Sequence, residues 1–252
     1  MMVTIAYVGM GLFLLFLIAV SGIMYYGWNY AAPIPPAVPS TTRIACIGDS
    51  ITCGALLKNR KQNCYPAQLE KMLGNQYSVR NFGVNGHALQ KKAYASYWHH
   101  RYFRASSEFA PHIVLIMLGT NDASEHNWKG IAPYSCDYRA MIEHYMSLSC
   151  RPVVFAMTPP TEFSPKMRAM GGGPLGNERI SEMAKCIKKL AEEMAIDVID
   201  INAATSDHPE CFWFDGIHPD SKGAKIIAET VYAELISSSK RIGVDHLGES
   251  NI

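Results

Sequence analysis

Charge is missing from the front of this chain of 252 residues: no Lys, Arg, Asp or Glu occurs before Arg43. That absence removes the basic n-region that a secretory signal peptide carries. Neither sign dominates the rest, with 23 basic and 22 acidic residues and a formal net charge of +1. A nucleic-acid partner is therefore not expected, because phosphate neutralisation needs a basic excess. Cysteine is sparse and odd in number, seven in all, so at least one stays unpaired within a monomer. None of the spacings is that of a zinc site. Cys136 and Cys150 bracket one predicted helix, which holds them about 20 Å apart and excludes a disulfide. Cys46 lies in a predicted strand and reads as a small buried hydrophobe. Cys53 and Cys64 flank a loop and are placed to pair in an oxidising compartment. No internal repeat is present.

What fills the uncharged front is apolar. Val3 to Trp28 is almost wholly hydrophobic, with an unbroken core from Leu12 to Val20. A helix of about 24 residues extends about 36 Å, against a hydrocarbon core of about 30 Å. Tyr25, Tyr26, Trp28 and Tyr30 stand at its far end, where an aromatic belt sits. A buried core helix would have to be greasy on every face, which usually means membrane. A signal peptide cut near Ala19-Val20-Ser21 is the rival, but the apolar run continues past that point. An uncleaved anchor over 1–30 is the favoured reading. It places the folded domain on a membrane outside the cytoplasm, or makes the protein secreted if the segment is cut. Pro33, Pro35, Pro36 and Pro39 make 31–42 a stiff, extended spacer. The domain is expected over 43–238, with a loose tail over 239–252.

Within the domain, short β-rich runs alternate with helical periodicity, which argues for a parallel sheet covered by helices. The predicted strands are Arg43–Ile47, Tyr77–Asn81, Ile113–Leu118, Pro152–Met157 and Ile196–Ile201. Ile113 to Leu118 is continuously apolar, as expected of a strand covered on both faces. Ile180, Met183, Ile187, Leu190 and Met194 fall on one helix face, and Ala224, Ile227, Ala228, Val231 and Leu235 on another. Further helices are predicted over Pro66–Leu73, Arg101–Phe109 and Tyr138–Leu148. Thr158 to Gly176 reads as a long irregular stretch, of a length usually functional or mobile.

Three short motifs follow strands or precede a helix: Gly48-Asp49-Ser50, Gly119-Thr120-Asn121-Asp122 and Asp215-Gly216-Ile217-His218-Pro219. Parallel sheets bind ligands at the carboxyl ends of their strands. Ser50, Gly86 and Asn121 follow the first, second and third strands, so all fall on one rim. A serine hydroxyl needs a base during attack, and His218 is the candidate. Asp215, three residues earlier, is spaced to hold the far imidazole nitrogen. The alternative is a surface turn opening the last helix. The backbone amides of Ser50 and Gly86 and the side-chain amide of Asn121 are candidate oxyanion donors. The alternative for Gly86 is an ordinary turn glycine, and Asp122 is assigned to capping its loop. His87 is either a pocket wall or an exposed loop residue. Trp128 is either a sugar platform or an aromatic tucked under the loop. His99-His100, beside Arg101, reads as an exposed cluster without ligand spacing.

Ser50 in Gly48-Asp49-Ser50-Ile51-Thr52, Gly86 in Asn81-Phe82-Gly83-Val84-Asn85-Gly86, Asn121 and His218 resemble the four blocks of the SGNH (GDSL-type) hydrolases. The resemblance covers about Arg43 to Ser238. It implies a flavodoxin-like three-layer α/β/α sandwich with a five-stranded sheet, no metal or organic cofactor, and ester hydrolysis through an acyl-enzyme. Tyr65-Pro66-Ala67-Gln68-Leu69 and the stretch from Gly119 to Trp128 look most like the bacterial branch acting on O-acetylated sugars. The expected partner is a small-molecule or glycan ester, with the membrane met through the N-terminal segment. A lipase, lysophospholipase or thioesterase is the alternative within enzymes. A membrane-tethered carbohydrate-binding pseudoenzyme is the alternative outside them, but it predicts a lost nucleophile or base, and none is lost.

Overall fold

The computed structural model describes residues 14–17, 33–163 and 177–242. Five parallel strands form one sheet: β1 (Thr42–Gly48), β2 (Tyr77–Gly83), β3 (Ile113–Met117), β4 (Val153–Met157) and β5 (Asp197–Ile199). Their order across the sheet is β2-β1-β3-β4-β5, the flavodoxin-like order with its crevice beside β1. Each strand feeds alternate residues to opposite faces, and both faces are covered. Ala45, Ile47, Val114, Ile116, Val154 and Ala156 enter one buried cluster; Ile44, Cys46, Leu115, Phe155 and Met157 enter the other.

The first cluster is closed by α4 (Arg101–Glu108), α5 (Ile131–Met146) and α6 (Asn177–Glu193). The second is closed by α3 (Tyr65–Leu73) and α8 (Ser221–Ile242). Three short helices join them in the domain: α1 (Ser50–Cys53), α2 (Arg60–Asn63) and α7 (Ile201–Thr205). The result is a three-layer α/β/α arrangement.

Several sequence expectations shift. α5 begins at Ile131 rather than Tyr138, because Pro133 is tolerated in a first turn. Ile201 opens a helix instead of ending a strand, since Asp200 caps it by accepting the Ala203 amide at 3.2 Å. α8 runs through to Ile242, past the expected start of the tail; Ser238 is held there by the Asp197 carboxylate at 2.8 Å. Cys64 is a buried free thiol whose sulfur accepts the Asn81 amide at 3.5 Å, so the disulfide with Cys53 is not formed. Cys46 is fully buried, as expected, and burial pushes its thiol up.

The proline-rich segment has no helix or strand from Pro33 to Val38, yet it is not a free spacer. Arg80 of β2 donates from Nε to the Pro35 carbonyl at 2.9 Å and from Nη2 to that of Pro36 at 2.7 Å. Its Nη1 donates to Glu70 at 2.7 Å, so a nearly buried guanidinium is satisfied by docking the segment on the sheet.

The expected membrane or signal helix falls mostly outside the described residues. Among those described, no helix is long and apolar enough to cross a membrane. Residues 14–17 are helical, with Leu14, Leu15, Phe16 and Leu17 exposed. The long stretch after Thr158 is described only to Phe163, without regular secondary structure.

Candidate active site

β1 ends at Gly48, and the chain turns at once into α1. A side chain at Gly48 would place its Cβ 2.0 Å from the Thr52 hydroxyl, so only glycine lets the helix fold back this tightly. Asp49 caps α1 by accepting the Ile51 amide at 2.9 Å, and burial raises its carboxyl to about 6. Ser50, the first helical residue, sits at the carboxyl end of β1 with its residue 8% exposed.

The base arrives from 168 positions further along the chain. Phe212 and Pro219 form an antiparallel bridge, and Trp213 and His218 close a small hairpin through a 2.8 Å main-chain bond. A turn from Trp213 to Gly216 forms its tip, the Gly216 amide donating to the Trp213 carbonyl at 2.8 Å. Asp215 Oδ1 accepts the amides of Ile217 and His218, each at 3.0 Å. Its Oδ2 lies 2.7 Å from His218 Nδ1, and His218 Nε2 lies 2.8 Å from Ser50 Oγ. A carboxylate only accepts, so Nδ1 carries the ring proton and Nε2 is free to accept from the serine. Burial pushes the Asp215 carboxyl up, but the His218 ring and the two amides outweigh it and hold its pKa below the ordinary value. The segment after β4 braces this hairpin: the Phe163 amide donates to Gly216 O at 2.8 Å, and the Phe163 and Phe212 rings lie 4.9 Å apart.

The other two motifs meet across the rim. Gly86 has a φ of +71°, a conformation glycine adopts without strain. Asn121 Nδ2 donates to the His87 carbonyl at 3.0 Å, which binds the loop after β3 to the loop after β2. Asp122 is fully buried and grips the same loop, accepting the Leu89 amide at 2.7 Å and the Gln90 amide at 2.8 Å. Burial raises its carboxyl to about 7. The capping role expected of Asp122 is thus a tie between two loops.

A family model described as GDSL-like lipase/acylhydrolase matches residues 46–226, a span that contains every residue of this hydrogen-bonded chain. The chain belongs to that family. An acetylxylan esterase of Xylanibacter ruminicola is 30% identical over 224 residues, which cover 82% of this chain and 46% of that protein. The chain therefore spans about half the length of the curated relative it matches. Among solved structures, Est24, a carbohydrate acetylesterase from Sinorhizobium meliloti, matches at a TM-score of 0.65 and 18% identity, over 78% of this chain and 99% of its own. The aryl esterase of M. smegmatis matches at 0.63 and 20% identity, over 79% and 99%. The two structures share the GDSL-family fold.

The structure narrows the alternatives for two weaker candidates of this GDSL-family member. His87 is not an exposed loop residue: it is 7% exposed, with Nδ1 2.9 Å from the Asn85 carbonyl. Its ring meets His100 edge-on at 4.9 Å. His100 in turn is half-buried and caps α4 by accepting the Tyr102 amide at 3.2 Å. Burial above all, then His87 and Arg101, push His100 down to about 4. These two histidines pack on each other, and burial lowers the pKa of both. Trp128 is partly buried against the first core cluster, with the Arg179 guanidinium 5.5 Å over its ring. Among the described residues one group has metal-ligand proximity: His208, Glu210 and Cys211, ligand atoms within 4.8 Å of one another, just before the hairpin. It shares no residue with the Ser50, His218 and Asp215 chain.

What the sequence reading missed is the set of braces. Phe163 meets Gly216 and His100 meets His87 through contacts between separate segments, which no local pattern signals, whereas the Asp49 cap on Ile51 is local.

Proposed function

We propose that this chain is a serine ester hydrolase that removes acyl groups, acetyl foremost, from a carbohydrate through an acyl-enzyme. The observation that carries the reading is the continuous hydrogen-bonded chain from Asp215 through His218 to Ser50, at 2.7 and 2.8 Å. In this reading Ser50 Oγ attacks the ester carbonyl while His218 Nε2 takes its proton. The tetrahedral oxyanion is met by the amides of Ser50 and Gly86 and by Asn121 Nδ2. His218 then returns the proton to the leaving sugar oxygen, and the acyl group stays on Ser50. Water, deprotonated by the same ring, releases it as the acid. Asp215 holds the ring in the required tautomer and stabilises the imidazolium.

Support for the acetyl-sugar substrate is the acetylxylan esterase relative, which resembles most of this chain. The long apolar run before the domain favours a second reading, hydrolysis of long acyl chains at a membrane. A panel of p-nitrophenyl esters from acetate to palmitate, run beside acetylated xylo-oligosaccharides, decides between them. The proposal expects kcat/KM to be greatest for acetate and free acetate to appear from the oligosaccharide. A maximum at eight carbons or more would transfer the assignment to the second reading.

A further inference from the structure

The chain ahead of the domain leaves it at a definite place. The Val38 amide donates to Ser78 Oγ at 3.0 Å, Arg80 reaches the carbonyls of Pro35 and Pro36, and Ile34 packs on the cluster containing Phe82. Ser78, Arg80 and Phe82 alternate along β2 and so share one face of it. Chain numbers fall from 38 to 36 and 35 as those of β2 rise from 78 to 80, so the segment runs antiparallel to the strand. Three strand residues advance about 10 Å and three extended proline-rich residues about 9 Å, which brings Pro33 level with the carboxyl end of β2. That is the rim bearing Ser50 and Gly86.

The second observation is residues 14–17. They are helical, and Leu14, Leu15, Phe16 and Leu17 are 59%, 63%, 62% and 43% exposed. Four successive residues point to every side of a helix, so at this level no side packs on the domain. That overturns the buried-core-helix reading for these residues. They lie inside a run from Val3 to Trp28 that holds no charged residue. An apolar surface facing all round is covered by lipid rather than by water. Between Trp28 and Pro33 lie only Asn29 to Ala32, a tether that spans at most about 18 Å.

We infer that the rim carrying Ser50 faces a lipid bilayer, held there by the leading apolar run and the Arg80 clamp. The orientation stands on its own geometry; that this rim carries the reacting serine rests on the proposed function. A short tether leaving from the rim brings the site within a few residues' reach of the bilayer surface, whereas exit from the opposite pole would turn it outward. Esters displayed close to the membrane are then the ones within reach.

The test uses the full chain reconstituted in phosphatidylcholine vesicles carrying a rhodamine-headgroup lipid. A click-reactive amino acid takes a donor dye either at position 94, exposed on the loop after β2, or at position 151, exposed before β4 at the other pole. Energy transfer from position 94 is expected to exceed that from position 151 by about two-fold or more. Inserting a flexible Gly–Ser segment of about 20 residues after Trp28 leaves the folded domain untouched and is expected to equalise the two. Failure of the chain to float with vesicles overturns the inference. So does equal or reversed transfer in the unmodified chain, or a difference that survives the insertion. Hydrolysis of p-nitrophenyl acetate by the same samples reads the proposed function separately.

Discussion

Asn121 donates from its side chain to the main-chain carbonyl of His87, 3.0 Å away. One N–H of the amide is thereby spent on fixing its orientation beside Gly86, and the other is the candidate oxyanion donor. Loss of one such donor costs roughly 3–4 kcal/mol, or a factor of about 10² to 10³ in kcat. Asn121→Ala is expected to lose kcat on that scale with little change in KM. Asn121→Asp, which sets a negative charge there, is expected to be at least as impaired. A loss confined to KM would instead give Asn121 a ground-state binding role.

The Ser50–His218–Asp215 chain makes a graded expectation. Ser50→Ala abolishes labelling by a fluorophosphonate probe. His218→Ala lowers kcat by about three orders of magnitude or more, with an unchanged circular dichroism spectrum. Asp215→Asn is expected to be less damaging than His218→Ala. Persistent labelling in Ser50→Ala would place the nucleophile elsewhere.

Acidification should act through His100. Its folded-state pKa, about 4, lies below the unfolded value of about 6.5. The stability linked to the neutral ring is complete above pH 6.5 and is lost as pH falls towards 4, because the unfolded chain takes up the proton first. His100→Asn keeps a helix-capping acceptor and removes the titration. Relative to wild type its stability is expected to rise across that window by roughly 1–2 kcal/mol, discounted for a half-exposed ring. Urea unfolding at pH 7, 5.5 and 4.5 measures it, and a pH-independent difference would refute the linkage.

Where the domain is cut should matter. A chain beginning at Pro33 retains both carbonyls that Arg80 holds, whereas one beginning at Thr42 strands two guanidinium donors whose side chain is only 7% exposed. The shorter chain is expected to be less stable by roughly 2–4 kcal/mol. Equal denaturation midpoints would mean that water replaces the prolines at no cost.

Much of this was legible in residue order. Ile113 to Leu118 announced a strand buried on both faces, and Ile180, Met183, Ile187 and Leu190 announced the face of α6 that is now buried. Asp215 and His218 were readable because three residues of spacing is a local property. The one-turn helices α1, α2 and α7 were not, since a single turn shows no period. Nor was the docking of the proline segment: its partner, Arg80, lies 44 or 45 positions away. The helical start at Ile131 was hidden by Pro133, although Tyr134, Tyr138, Met141 and Tyr145 repeat at helical spacing ahead of and through the expected start.

Asp122 binds Leu89 and Gln90 while its neighbour Asn121 binds His87. Loops from two different strands are therefore fastened into a single part with one buried rivet. Anyone reshaping this rim by loop exchange would have to transplant both loops together. A graft that brought in only the Gly86 loop would keep its sequence and lose its register against the Asn121 amide.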